Sequence, residues 1–501
     1  MPQAQTVPLP KRLPLYSPLQ TRTSLAPFTK DSRLYNGYAE FDRITEGYKI
    51  FKRPGLGSTV VASSGKLAAG LGLYTESGTA NVFSVFGTSL SIFSSGSPPV
   101  LTTALTVDGT APYAFVTVGP AINTSRYVVL GNGAAAYYIL FDSGPPLHRQ
   151  TFAQITDPNF PTTFVPGWCT LDGFLYVMDP SGNIWGTLGP NNPTVWSSTN
   201  VIVADSNSDL GVALAKQLNY LIAFKQYTTQ VFYDAGNPSP GSPLSSVPDA
   251  QLPLGCLVAS SIGQIDNTLL WVTSNETISP QVVQMDNLTP KIVSTPDVDR
   301  ILDNVFWPGN PNNSVRAWVL KHAGHRFYVL NLIANNITLA YDLDQKGWYI
   351  WTDFQGNFWP IVSLAFFPPS FGSEGVHLAQ HATNGNVYPL DGDYSFPTDF
   401  GNIFPVDIYT PNFDGGTSRR KHLGAMYFNV DKTPGNLLQS RYSDDDYTSW
   451  SNFRTVDLSD PKPRLTDEGT FNFRRAYHFR HAKATALRLA SIDLQLDIGT
   501  L

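Results

Sequence analysis

Residue types able to do chemistry are sparse in this chain and poorly grouped. The histidines are His148, His322, His325, His377, His381, His422, His478 and His481. His377 and His381 stand four apart, a spacing that ligates a metal on a helix, but the residues around them read as strand and turn. Asp342, Asp344 and Gly347 in YDLDQKGW have the start of a calcium loop without its downstream Glu, so a hairpin turn is the expectation there. G-x-S-x-G, H-E-x-x-H and Walker A sequences are absent. Cys169 and Cys256 are too few for a disulfide framework or a cysteine zinc site, and read as buried thiols. No catalytic, cofactor-binding or metal-binding residue is therefore expected.

Two stretches near the C-terminus stand out. The run Ser443 to Trp450, SDDDYTSW, resembles an Asp-box, S-x-D-x-G-x-T-W, with Tyr447 in the glycine position. Such a box is a structural hairpin, so no catalysis is assigned to it. Residues 471–488 interleave Arg474, Arg475, Arg480, Lys483 and Arg488 with Phe473, Tyr477 and Phe479. Along a strand this alternation gives an aromatic core face and a basic outer face. Nucleic-acid contact, a protein-docking face and a plain solvated face all fit it; docking to a protein neighbour is the favoured reading.

The elements that must position these residues are strands. Seven hairpin units of one kind begin at residues 81, 127, 174, 218, 267, 326 and 375. Each has an apolar or aromatic alternating strand, a polar turn and a second such strand. A spacing of ~40–50 residues with several strands per unit is the mark of propeller blades. The fold class read from it is all-β: a β-propeller of six or seven blades over 61–395, plus a β-rich platform. The platform is expected to join an N-terminal arm and segment, 1–60, to a C-terminal domain, 396–501. Period-two alternation predicts half-buried strands. Ser294-Thr295-Pro296-Asp297 predicts a helix start, with Val298, Ile301, Leu302 and Val305 on one face. A second short helix is expected over 209–218. Residues 237–253 read as a long Pro/Ser-rich loop, with Asn237, Pro238, Pro240, Pro243 and Pro248 as candidate gate residues.

Composition narrows the class. Charged residues make up only 14% and aromatics 13% of the 501 residues, which excludes a disordered chain and a coiled coil. No apolar run reaches the ~18 residues of a membrane helix, and neither a signal peptide nor a membrane anchor is expected. Residues 1–60 carry nine Lys/Arg and four Asp/Glu, and residues 411–501 carry thirteen and eleven; the stretch between holds eleven and twenty-four. Basic ends flanking an acidic middle suit a platform that meets an acidic neighbour and a body that does not hold DNA.

In their order along the chain, several stretches resemble the head-to-tail nozzle, or packaged-DNA stabilisation, family of short-tailed bacteriophages. They are Asp31-Ser32-Arg33-Leu34-Tyr35-Asn36 with Glu40, Arg53-Pro54-Gly55-Leu56, Gly70-Leu71-Gly72-Leu73, Ile155-Thr156-Asp157-Pro158-Asn159-Phe160 and Leu171-Asp172-Gly173-Phe174. Further on come Tyr233-Asp234-Ala235-Gly236, Leu254-Gly255-Cys256, Asn267-Thr268-Leu269-Leu270-Trp271, Ile292-Val293-Ser294-Thr295-Pro296 and Ser443-Asp444-Asp445 with Trp450. The family's Phe-Pro-Phe-x-Arg is replaced by the 237–253 stretch. The resemblance implies a non-enzymatic virion protein of the tail, assembled in the host cytoplasm. It implies a homohexameric ring below an adaptor protein. That ring retains packaged DNA, passes it without tight binding, and docks a fibre or spike protein. A propeller glycosidase or glycan-binding tail protein acting on host surface polysaccharide is the alternative; a glycosidase needs two carboxylates flanking a bond, and no motif singles out such a pair.

Overall fold

In the computed structural model of the chain the described residues are 11–19, 31–43, 46–63, 66–76, 79–94, 101–109, 112–119, 126–141, 150–205, 207–275, 277, 279–305, 314–367, 375–391 and 396–499, and every structural finding refers to these. Most of the expected arm over 1–30 lies outside them.

The hairpin repeat folds as a seven-bladed propeller. Six four-stranded antiparallel meanders cover residues 68–106, 114–154, 169–203, 211–252, 263–292 and 315–351. The seventh blade has three strands of its own, Ile361–Phe367, Val376–His381 and Asn386–Asp391. Its outer strand comes from the other end of the chain: Gly55–Leu56 and Val61–Ala62 pair with Asn386–Asp391. This closes the ring. Gly55 is there because no larger residue fits: a Cβ at that position would sit 2.2 Å from the Phe396 carbonyl oxygen.

Each blade buries both faces. Leu270 and Val272 pack towards blade six, while Leu269 and Trp271 pack towards blade four. The same division runs round the ring, and Val82, Phe86, Leu378 and Val387 seal blade one to blade seven. The expectation of half-buried strands is therefore corrected. The alternation arises from two different neighbours rather than from core and solvent, so central strands become continuous apolar runs such as TLLWVT, Thr268–Thr273.

The predicted helix forms over Pro296–Asp303 and lays Val298 and Leu302 against the core between blades five and six. Thr295 caps it, its side chain accepting from the Val298 amide. The second predicted helix is not one. Residues 211–217, GVALAKQ, form the first strand of blade four and pair with Tyr220–Lys225. The apolar run fits the inter-blade space, and tertiary pairing overrides its modest helical propensity.

The platform is a two-sheet sandwich fused to blade six. The outer strand of that blade, Gly347–Trp351, pairs in parallel with Arg33–Tyr35. The sheet then continues through Val406–Tyr409, Ala476–His481, Leu437–Ser443 and Arg454–Asp457, nine strands in all. The facing sheet is built from Gly37–Asp42, Gly47–Lys52, Arg488–Ile498, Lys421–Val430 and Arg464–Phe471, with Lys11–Arg12 on Arg488–Ile498. Met426, Phe428, Ile492 and Leu494 meet Ile408, Leu438, Tyr477 and Phe479 between the sheets. N- and C-terminal segments thus share both sheets. The described part of the arm is strapped down: Leu13 and Leu15 enter the platform core, and Leu19 enters the core beside blade six.

Candidate interfaces of the platform and propeller

The run 471–488 does not present five basic side chains to solvent. Its strand Ala476–His481 is central in the nine-stranded sheet, so Tyr477 and Phe479 face the sandwich core. The opposite face is also covered: His478 stacks on Tyr409 at 4.0 Å between ring centroids and meets Trp450 and Phe453 edge-on. Arg475 is buried, 1% exposed, and is withdrawn from the docking face. Its Nε and Nη2 donate to the two carboxylate oxygens of Asp444 at 2.7 and 2.9 Å, and Nη1 donates to the Glu468 carbonyl at 2.7 Å. Its guanidinium lies over the rings of Tyr442 and Phe471. Burial presses that guanidinium down, but the Asp444 bonds outweigh it and hold it above its ordinary value.

The other four cations are partly exposed. Arg474 Nε donates to Asp446 at 2.6 Å. Arg480 lies 3.8 Å from Asp407, and Arg488 lies 3.7 Å from Asp431. Lys483 gives its backbone carbonyl to the buried Lys52 ammonium at 3.0 Å. Elsewhere on the platform Arg12 pairs with Asp493 and Lys49 with Asp42. Several cations of the chain ends are thus paired with platform carboxylates, so that part of the surface is of mixed charge.

The SDDDYTSW run forms the turn after Leu437–Ser443. Asp445 accepts from the Ser443 hydroxyl and from the hydroxyl and amide of Ser449. Led by the Ser449 bonds, this set holds its carboxyl down at about 2. Tyr447 sits where the motif has glycine and adopts φ +66°. It tolerates this because its ring is buried and its hydroxyl donates to the Thr410 carbonyl at 2.7 Å. Asp444 and Asp446, on either side of Asp445, are the partners of Arg475 and Arg474. The two unusual C-terminal stretches are one structural unit, a relation that their separation of some thirty residues hides in the sequence.

The 237–253 stretch is a loop only in its first part. Leu244–Leu252 is the fourth strand of blade four, so Pro248 is a strand residue on an outer edge, where a missing amide is tolerated. Residues 235–243 are the turn before it, with Asn237, Pro238 and Pro240 exposed and Pro243 half-buried. Asn237 Nδ2 ties the turn back to the Leu244 carbonyl at 3.1 Å and the Ser245 hydroxyl at 3.0 Å. A turn between third and fourth strands lies on the outer rim, so these residues do not constrict the propeller's own axis.

That axis holds a cavity of about 520 Å³ lined by the first strands of blades two to seven and the segments leading into them. Arg316 and Lys216 line it, and no Asp or Glu does among the described residues. The propeller's own axis is thus lined by two cations. Lys225, by contrast, is buried against Asp209 at 3.0 Å. The remaining chemical candidates are absorbed by structure. Asp342 accepts the Asp344 and Gln345 amides in a hairpin turn, and His325 Nδ1 lies 2.7 Å from its other oxygen. His377 Nε2 lies 3.1 Å from the Lys321 carbonyl, while His381 Nδ1 accepts from the Thr383 and Asn384 amides. Both cysteines are buried, which pushes their thiols up to about 12.

The architecture defines the class: a seven-bladed propeller with a platform woven from both chain ends. The family described as "Bacteriophage P22 Gp10, beta-propeller" matches residues 49–360, more than half of the chain. The chain belongs to that family, and it is a structural phage tail protein and a component of the virion. No curated protein sequence matches it. Among solved structures, BBS1N in complex with ARL6DN is 10% identical, with 67% of this chain and 96% of that chain covered at a TM-score of 0.40. The N-terminal domain of Nup159 is 10% identical, with 72% and 99% covered at a TM-score of 0.40. Likeness at that level says nothing of function.

Proposed function

We propose that this chain is the nozzle subunit of a short phage tail. Six copies form a ring below the adaptor protein, retain packaged DNA, conduct it at ejection and help to dock a fibre or spike. The observation that carries the reading is the continuous nine-stranded sheet running from blade six through the platform. A nozzle under pressure needs propeller and platform to move as one body, and a hydrogen-bonded sheet shared by both supports that far better than a linker. A ring of heterologous contacts closes when the rotation per subunit permits it.

DNA retention is steric on this reading. Within the run 471–488, Arg474, Arg475 and Arg488 face Asp partners, which weakens the hold that this basic run could take on phosphate. The turn 235–243 is uncharged and sits on the propeller rim, the part of each subunit that a ring can turn towards a shared lumen. Arg474, Arg480, Lys483 and Arg488 border the platform surface offered to the adaptor. The copy number is tested by averaged images of isolated tails, in which three or twelve subunits would refute the ring of six. Shortening residues 237–243 is expected to give particles that leak genome; full retention would place the gate elsewhere. The isolated protein should bind duplex DNA only weakly at physiological salt, and a tight, salt-sensitive complex would overturn the steric account.

A further inference from the structure

We infer that the axial cavity of the propeller is a binding site for a small organic oxyanion, a carboxylate or phosphate ester, gripped by Arg316. The inference concerns a single subunit and stands apart from the ring proposed above. Arg316 is the second residue of the first strand of blade six, Val315–His322, and is 7% exposed. Its only side-chain hydrogen bond among the described residues runs from Nη2 to the Ser363 hydroxyl at 3.1 Å, across to blade seven. Nε and Nη1 are left for another partner.

The other buried cations show how unusual this is. Arg53 has Asp399, Arg475 has Asp444 and Lys225 has Asp209. Lys52 and Lys421 form no ion pair among the described residues, but carbonyl oxygens surround them: Lys483 and Thr485 for the first, Arg419, Asn472 and Phe473 for the second. Arg316 has one hydroxyl. Burial alone presses its guanidinium down to about 10, and no carboxylate pushes back. It is still charged at neutral pH, and a buried charge without a counter-charge is expensive unless something arrives to supply one.

The cavity beside it suits such a visitor. Its volume of about 520 Å³ falls within the range of small-molecule sites. Lys216 lines the same space and donates to the Thr170 carbonyl at 2.8 Å, adding a second positive charge. Ser363 and Gln264 offer further polar groups, while Phe115 and Trp168 supply apolar wall. A planar guanidinium presents paired donors to a carboxylate or phosphate, and the body of the ligand lies against the aromatic wall.

Titration calorimetry on the whole chain decides the matter, with glucuronate as the carboxylate probe, glycerol phosphate as the phosphate probe and glucose as the neutral control, at fixed ionic strength. Binding of at least one anion and not of glucose is expected, and the anion that binds names the class. Arg316→Met should weaken that binding about tenfold or more, the worth of a lost charge-assisted pair. Without ligand, Arg316→Met should be no less stable than the natural protein, because an unpaired buried charge has been removed. Lys216→Met, a milder change, should weaken binding by a smaller factor. Failure of both anions to bind, or equal binding by the natural chain and Arg316→Met, overturns the inference. If Arg316→Met does not fold, unchanged affinity in Arg316→Lys and Lys216→Met together overturns it.

Discussion

Arg53 and Asp399, 346 positions apart, form a fully buried bidentate ion pair, with Nη2 to Oδ2 at 2.6 Å and Nη1 to Oδ1 at 3.1 Å. Arg53 also reaches Asn36 Oδ1 at 3.0 Å and the Thr352 carbonyl at 2.8 Å, and its guanidinium lies over the rings of Trp359 and Phe404. One side chain thus ties the N-terminal segment, the junction of blades six and seven, and the C-terminal part. Burial pushes the Asp399 carboxyl up against the pull of Arg53. The pair is stable only as a pair.

Breaking it should therefore be severe. Arg53→Met or Asp399→Asn leaves a buried group without its partner and is expected to cost about 3–5 kcal/mol. Urea unfolding of each single variant and of Arg53→Met/Asp399→Asn measures this. The double variant should lose clearly less than the sum of the singles; simple additivity would deny the coupling.

Stability should fall in mild acid. Burial holds His481 down at about 3 and His381 at about 4, against about 6.5 in an unfolded chain. Between pH ~6.5 and ~4 the unfolded state takes up these protons and the native state does not, so stability is present above that window and drains away through it. Each histidine contributes up to about 1.4 kcal/mol per pH unit. His478 and His377 are also held down and add to the trend, while His325 is held up and titrates above the window. The urea midpoint should drop from pH 7 to pH 5. His481→Gln keeps a donor for Asn436, which His481 Nε2 meets at 2.6 Å, and should shrink that drop.

Tyr447 is held by its ring more than by its hydroxyl. Tyr447→Phe should cost about 1 kcal/mol, the Thr410 hydrogen bond. Tyr447→Gly matches the Asp-box pattern and relieves the left-handed backbone, yet should cost more than the Phe variant because a buried aromatic is lost. Thermal unfolding ranks the two, and a Gly variant more stable than the natural chain would refute this.

Trp271 is wholly buried between blades four and five, and its Nε1 donates to the Gly255 carbonyl at 2.9 Å. Trp271→Ala should cost about 3–5 kcal/mol by denaturant melts. Trp351, also fully buried, belongs to the same class; Trp185 is only half-buried and should cost less.

Much of the fold was legible in the residues alone. Recurrent alternating hairpins, a Thr-capped helix start with Pro at its first position, and the Asp-box are local signals, written in side-chain period and turn chemistry, and they led to the propeller, the helix at 296 and the turn at 443. Local signals stop where partners are distant in the chain. Nothing near Gly55 says that it closes blade seven, and nothing near Arg475 says that Asp444 buries it. The basic-aromatic run 471–488 reads as one exposed face because a sequence does not show what covers a strand's second side; here Trp450 and Phe453 do. The same limit hid Arg316, an ordinary strand arginine until seven blades converge on one axis and leave it buried there without a carboxylate.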